Sequence, residues 1–388
     1  LKQQIFDRHF KTWEDYAAEV SASIRSITQT PSLPVTSQSA RAPYEFPSRP
    51  TLSVCITTYN RSGWLDINLE NLKRVSANVL GQIEIIVCDN CSDDETPVVV
   101  NRFLDQINIR YYRNSSNVGM LGNLAQTVSF ARGDYVWLIG DDDLLHQGAL
   151  EKILDIVEQH YPDLINVNYA YSTSPTPPTI HNLGEYFSTA AKIAQGGSSG
   201  SDRVKNISAN NENFFTAIYT FIVKRKHSQK IFNQDTSGAP FSSLQTCVPS
   251  SKYILSQLME LPGYWINEPQ LTINMNVSWG KYAPIWLLER IPEVYDLAEL
   301  NGVSQEYVDQ WRRHTVNTAF DYLEILFKSE HDPSNESFEI LRFVRRSRHL
   351  DEFRRMFPKI EAIYADALER NHPLARISMD TLQEAMRR

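Results

Sequence analysis

No run of roughly 18 consecutive apolar residues occurs in this 388-residue chain, so no segment reads as a membrane-spanning helix. Cysteine is scarce, with only Cys55, Cys88, Cys91 and Cys247. Cys88 and Cys91 form a lone C-x-x-C, and a zinc site would need a second pair that Cys247 alone cannot supply. Cys55 and Cys88 sit inside apolar runs and read as core residues, which suits a reducing, cytoplasmic setting. Basic residues are outnumbered, 38 against 46, and the net charge of −8 excludes bulk attraction to nucleic acid. No internal repeat is visible, so repeat architectures are excluded. The chain opens on Leu1 without an initiator methionine, as a fragment would, so the lack of a targeting segment excludes nothing.

What remains is the composition of a globular protein, 42% hydrophobic and 22% charged, in a chain long enough for two or three domains. Residues 5–29 place Ile5, Phe10, Trp13, Tyr16, Ala17, Val20 and Ile24 at helical spacing. That helix would serve as an oligomer contact or as a domain brace. Residues 30–50 are rich in Pro, Ser and Thr and read as a linker. From Thr51 strands and helices alternate. Strands are expected at 52–57, 83–88, 107–112 and 135–139, and helices at 65–75, 96–104 and 122–131. This alternation predicts a doubly wound, mostly parallel α/β sheet with helices on both faces. A helix at 148–160 and a strand at 163–171 continue it. Residues 172–213 read as loop, either a cover over a site or a surface excursion. A strand at 215–223, a helix at 241–260 and short strands at 264–266 and 270–277 follow. Beyond about residue 281 the chain reads as helical. The expected organisation is therefore 1–50, helix and linker; 51–280, the α/β domain; 281–388, a helical region.

Three strand ends carry polar groups. The first gives Thr57-Thr58-Tyr59-Asn60-Arg61, the second Asp89-Asn90-Cys91-Ser92-Asp93-Asp94, and the fourth Asp141-Asp142-Asp143. Three adjacent carboxylates repel one another unless a positive group sits among them. The carboxyl end of a strand in an open α/β sheet is where ligands bind. A hard divalent cation would supply that charge and bridge to a substrate's phosphates. The alternative is a solvated acidic turn. Parallel strands would bring the three sets to one sheet edge, with the Tyr59 ring for a base and Asp89 as acceptor for a base N–H or ribose hydroxyl.

In this order the pieces resemble family-2 glycosyltransferases of the GT-A fold. They are Ser53-Val-Cys-Ile-Thr-Thr-Tyr-Asn-Arg61, Glu84-Ile-Ile-Val-Cys-Asp-Asn-Cys-Ser-Asp-Asp-Glu-Thr96, Asn117-Val-Gly119-Met-Leu-Gly-Asn123 and Ala131-Arg-Gly133-Asp-Tyr-Val-Trp-Leu-Ile-Gly-Asp-Asp-Asp143. The Gly-Asp-Asp-Asp-Leu-Leu ending and the segment Tyr264 to Asn274 resemble the bacterial O-antigen, abequosyltransferase-like branch. The resemblance covers roughly residues 51–280. It implies an inverting, metal-dependent transferase that moves a sugar from a nucleotide diphosphate, of UDP or dTDP type, to a glycan or lipid-linked glycan. It implies that Thr57 and Tyr59 hold the base, Asp89 reads it, Arg61 joins the nucleotide-sugar contacts and Asp141 touches the ribose. Asp142 and Asp143 would hold the metal, Mn2+ or Mg2+, with the family's D-x-D element in either of two registers. Asn117, Gly119 and Asn123 would shape the loop beside the donor; equally, they read as a tight turn and a helix start.

Two features depart from the family pattern or add to it. The helix start after the 215–223 strand reads Ala239-Pro-Phe-Ser-Ser-Leu-Gln245, where the family places a carboxylate and this branch often a His. Asp235 and Glu268 are the candidates for a general base, against a plain surface role for each. Residues 342–359 carry seven Lys or Arg against Asp351 and Glu352 with apolar residues between. They read as a peripheral contact with the inner membrane face, or as a helix packed on the catalytic domain with a solvated basic face. Two rival functions compete with the transferase reading. A sugar-phosphate nucleotidyltransferase would need a Gly-rich loop where Tyr-Asn-Arg-Ser-Gly stands. A non-catalytic sugar-nucleotide-binding scaffold of a polysaccharide-assembly complex fits the missing base but not the intact acidic triplet.

Overall fold

The computed structural model describes residues 49–192, 197–209, 214–234, 238–276, 280–328 and 332–387. The helix expected at 5–29, most of the linker and Asp235 lie outside the described residues. The described residues belong to one compact unit.

β1 (Leu52–Thr58), β2 (Ile83–Asp89) and β4 (Tyr135–Gly140) are apolar runs buried on both faces, as strands in the middle of a parallel sheet are. β3 (Ile109–Arg113) forms the edge beside β2. The order β3-β2-β1-β4 is parallel throughout. The register sets Thr57 beside Gly140, Thr58 beside Asp89, and Asp89 beside Arg113. The polar strand ends therefore meet along one edge.

Past β4 the sheet becomes mixed. β9 (Phe221–Lys224) runs antiparallel between β4 and β6 (Leu164–Ser172), and β10 (Pro262–Asn274) runs parallel to β6. Short strands complete ten: β5 (Leu144–Leu145) and β8 (Gly200–Arg203) pair with β10, and β7 (Ala191–Lys192) with β6. β10 is one strand of 13 residues, where two short ones were expected. Asn267-Glu268-Pro269 breaks the apolar pattern, and the structure absorbs the break as register shifts around Pro269. β9 is shorter than expected, because residues 218–220 form a 3-10 turn first. The helix expected at 241–260 begins only at Pro249, and residues 254–258 widen into a π-turn.

Helices cover both faces. α1 (Ser62–Val75), α2 (Thr96–Asn101) and α3 (Gly119–Ser129) follow the first three strands in turn, α1 and α2 packing in one core and α3 in the core on the other side. α4 (Ala149–His160) joins the α1 side through Leu150, Ile153 and Val157. The helices beyond residue 281 pack on the α3 side in one continuous core that runs from Leu124 to Ala385.

The basic stretch expected at 342–359 falls largely within that core. Phe343, Val344, Leu350, Phe353 and Phe357 are buried. Arg342 and Arg346 reach the buried Glu289 at 3.2 and 3.0 Å, and Arg348 donates to the Ala385 carbonyl at 2.9 Å. Two of its seven basic groups thus meet an internal acid, Arg345, Arg354, Arg355 and Lys359 stay exposed, and its apolar residues are covered. No helix among the described residues is long and apolar enough to cross a membrane.

Candidate active site

The acidic triplet ends β4 in a tight turn that α1 clamps from the side. Asn68 donates to the Asp143 carbonyl at 2.6 Å. Asn71 pairs with Leu145 in both directions, Nδ2 to the carbonyl at 3.1 Å and the Leu145 amide to Oδ1 at 2.9 Å. Both asparagines are buried, three residues apart on one helix face. Neither was legible as a site residue, since a lone Asn in an amphipathic helix carries no pattern.

Within the turn the three carboxylates separate. Asp141 is buried, and its Oδ2 accepts from the Thr58 hydroxyl at 2.8 Å. Asp143 is buried and turns back, its Oδ2 accepting from the Gly140 amide at 2.7 Å. Asp142 faces outward with 13% of its side chain exposed. Arg61 spans two of them, Nη1 to Asp141 at 3.2 Å and Nη2 to Asp142 at 2.6 Å. Burial pushes the Asp141 carboxyl up to about 7, while Arg61 pulls it down and Asp142 pushes it up. Burial, then repulsion from Asp142, holds the Asp143 carboxyl well above its ordinary range. A side chain on residue 140 would place its Cβ 2.9 Å from Asp142 Oδ1 and 3.2 Å from Asp143 Oδ2. Glycine there lets these two carboxylate oxygens close on the backbone.

The loops after β1 and β2 are tied to each other. The Asn60 amide donates to the Ser92 hydroxyl, the Asp93 amide to Asn60 Oδ1 and the Ser62 amide to Asp94 Oδ2, each at 2.9 Å. Asn60 takes a left-handed backbone, φ 53°, which asparagine tolerates better than most residues. These ties leave Tyr59 44% exposed at the sheet edge, with Thr57 half-buried behind it.

Asp89 behaves differently from the expectation of an open base reader. It is fully buried, with Oδ1 taken by the Ser92 amide at 2.8 Å and Oδ2 by the Tyr111 hydroxyl at 2.7 Å and Arg113 at 3.2 Å. In this arrangement a base reaches Asp89 only by displacing Tyr111 or Arg113. Asn117, Gly119 and Asn123 belong to an asparagine network. Asn90 donates to Asn117 Oδ1 at 2.8 Å, Asn114 to Asn123 Oδ1 at 3.0 Å, and Asn123 to the Cys88 carbonyl at 3.0 Å. Gly119 supplies φ 78° at the helix start. These contacts fit the turn reading, and only Asn117 and Gly119 face solvent.

A second buried cluster explains the Arg-Gly-Asp element before β4. Glu84, buried in β2, accepts from Ser53 at 2.6 Å, from the Arg132 amide at 2.6 Å and from Arg110 at 2.9 Å. A Cβ on Gly133 would lie 2.6 Å from the Ser53 amide nitrogen, so only glycine lets the chain pass this close to β1.

Glu268 stands apart from the triplet's contacts. It is exposed at the β10 irregularity and paired with Lys152 at 2.8 Å, which holds its carboxyl below the ordinary range. As for a metal, no group of three or more His, Cys, Asp or Glu among the described residues converges on one point. Asp142 Oδ1 and Asp143 Oδ2, brought together beside Gly140, are the donor type that suits a hard cation. Such a cation takes one or two carboxylates and completes its shell with substrate phosphates and water.

Residues 53–232 match the model of glycosyl transferase family 2. An abequosyltransferase of Salmonella typhimurium is 39% identical over 101 residues, 26% of this chain and 30% of that protein. A GalNAc(5)-diNAcBac-PP-undecaprenol beta-1,3-glucosyltransferase of Campylobacter jejuni is 34% identical over 114 residues, 29% of this chain and 36% of that protein. The chain thus spans about a third of the length of these curated relatives. The crystal structure of Staphylococcus aureus TarS 1–349 in complex with UDP-GlcNAc aligns with a TM-score of 0.53 at 13% identity, over 87% of this chain and 90% of that one. At that identity the likeness is one of fold. Residues 53–232 are a family-2 glycosyltransferase region on a GT-A fold, similar in sequence to the branch that holds bacterial O-antigen transferases.

Proposed function

We propose that this chain transfers a sugar from a nucleoside-diphosphate donor to a glycan or lipid-linked glycan acceptor in bacterial surface-polysaccharide synthesis. The observation that carries the reading is the Arg61-bridged pair Asp141 and Asp142 at the end of β4, beside Thr57 and the exposed Tyr59 ring. The names of the relatives support the substrate classes: one acts on an undecaprenol-linked glycan, and TarS is crystallised with UDP-GlcNAc.

The residues divide the work as follows. Tyr59 offers a flat ring for the base, and Thr57 and Asp141 stand at the neighbouring strand ends, where they would meet the ribose. Asp89 acts from behind, fixing Ser92 and Arg113 rather than touching the base. Asp142 and Asp143 would hold Mn2+ or Mg2+. When bound, such a cation offsets charge that builds on the departing diphosphate. Arg61 keeps a permanent positive charge beside Asp141 and Asp142. Inversion in a single displacement calls for a base that removes the acceptor hydroxyl's proton. Asp235 is the better candidate, since Lys152 makes Glu268 a stronger acid and hence a weaker base.

A thermal-shift panel of UDP, dTDP, GDP and CMP with and without Mn2+ tests this reading. A ligand that binds the folded chain raises its melting temperature. One nucleoside diphosphate is expected to stabilise the chain, and more so with Mn2+. No shift with any of them would count against a sugar-nucleotide site.

A further inference from the structure

Arg61 is held in an unusual way for a residue beside an acidic turn. Its backbone is fixed on both sides, by Asn60 on Ser92 and by the Ser62 amide on Asp94. Its side chain is one third exposed and reaches across the turn to Asp141 and Asp142. Among the described residues these are the only ion pairs that Asp141 and Asp142 make. The aromatic face of Trp64 lies 6.0 Å from the guanidinium, a second resting surface for a cation.

Arg61 holds Asp142 Oδ2, while Oδ1 of the same carboxylate faces Gly140, so a divalent cation on Oδ1 would stand on the other oxygen of one carboxylate, and like charges at that range repel. A cation that enters on Asp142 therefore weakens the Arg61 contact at 2.6 Å, and the guanidinium in turn weakens the hold on the cation. The loosened guanidinium has a better partner close by once a nucleotide arrives. Its planar fork matches the oxygens of a diphosphate, with which it forms paired, charge-assisted bonds.

From this geometry we infer that Arg61 is a resident counter-cation that competes with the divalent cation for Asp142 and passes to the diphosphate when the nucleotide binds. Cation and nucleotide then bind cooperatively, because each removes a cost that the other would meet alone. Arg61 is on this account a positioning residue that discourages metal binding without donor. The inference rests on the reading of Asp142 and Asp143 as cation ligands.

The test is Mn2+ binding to the full chain, followed by electron paramagnetic resonance, with and without UDP. Arg61→Gln removes the charge and Arg61→Lys keeps it without the fork. Arg61→Gln is expected to bind Mn2+ alone about fivefold more tightly than the wild type or better. It is also expected to lose about tenfold in the factor by which UDP tightens Mn2+. Arg61→Lys should fall between. A purely structural role would weaken both measurements together. Unchanged or weaker Mn2+ binding by Arg61→Gln without UDP would overturn the inference. If neither the wild type nor Arg61→Gln binds Mn2+ even with UDP, the cation reading of the triplet fails, and this inference with it. Asp142→Asn separates the two cases, since it is expected to abolish Mn2+ binding whatever residue 61 is.

Discussion

The Thr58 hydroxyl donates to the Asp141 carboxylate across 2.8 Å and so joins the ends of β1 and β4. Both residues are buried, and this bond is one of the few that favour the charged form of Asp141. Thr58→Val keeps the shape and removes the donor. Loss of a bond to a buried acceptor costs about 1–3 kcal/mol. The deficit should be larger near pH 8 than near pH 5, because only the ionised carboxylate misses the bond strongly. Denaturant titrations at the two pH values measure it.

The triplet should make the cation-free chain less stable as pH rises. The carboxyls of Asp141 and Asp143 are both shifted up, so the folded chain keeps protons that the unfolded chain releases above the ordinary carboxylate range, near pH 4. Stability from these groups therefore falls as pH climbs from there through about 7. Asp143→Asn removes the charge and keeps an acceptor for the Gly140 amide. It is expected to raise the melting temperature by roughly 2–5 °C near pH 8. The gain should shrink toward pH 5. Added Mn2+ should stabilise the wild type more at pH 8 than at pH 6, since metal binding releases those protons.

The asparagine network beside α3 is a folding device in this structure, and its loss should register as stability before it registers as binding. Asn114→Ala deletes bonds to Asn90 at 3.1 Å and Asn123 at 3.0 Å. A cost of about 1–3 kcal/mol is expected, with other buried polar atoms left unpaired. Exposed Asn117 should tolerate alanine better, and chemical denaturation of the two variants compares them directly.

The two base candidates separate in kinetics. Asp235→Asn is expected to lower kcat about 100-fold or more with little change in KM for the donor. Glu268→Gln should stay within about twofold of the wild type, because an exposed ion pair with Lys152 contributes little. The opposite ranking would move the base to β10.

Sequence pattern carried the first half of the fold well and the second half poorly, for physical reasons. β1, β2 and β4 are buried on both faces, so each is a plain apolar run with a polar stop at the ligand edge. β10 is mostly buried but broken by Asn267-Glu268-Pro269, which a strand pattern cannot distinguish from a turn. Arg61 was legible as part of a motif, yet its contact with Asp142 depends on a side chain that crosses between two loops. Ser92, Asp94, Asn68, Asn71 and Asn114 bond to backbone or to one another, and such bonds leave no periodic trace. Asp89 shows the reverse case: its place at a strand end was legible, while its burial under Tyr111 and Arg113 was not.

The most direct test is release of nucleoside diphosphate from a panel of sugar nucleotides in the presence of Mn2+, with the wild type beside Asp142→Ala. At least one donor should turn over slowly by hydrolysis, and faster with a glycan acceptor. Asp142→Ala should lose that turnover together with the Mn2+-dependent part of nucleotide binding. No turnover with any donor, together with nucleotide binding that Asp142→Ala leaves unchanged, would contradict a metal-assisted transferase at this site.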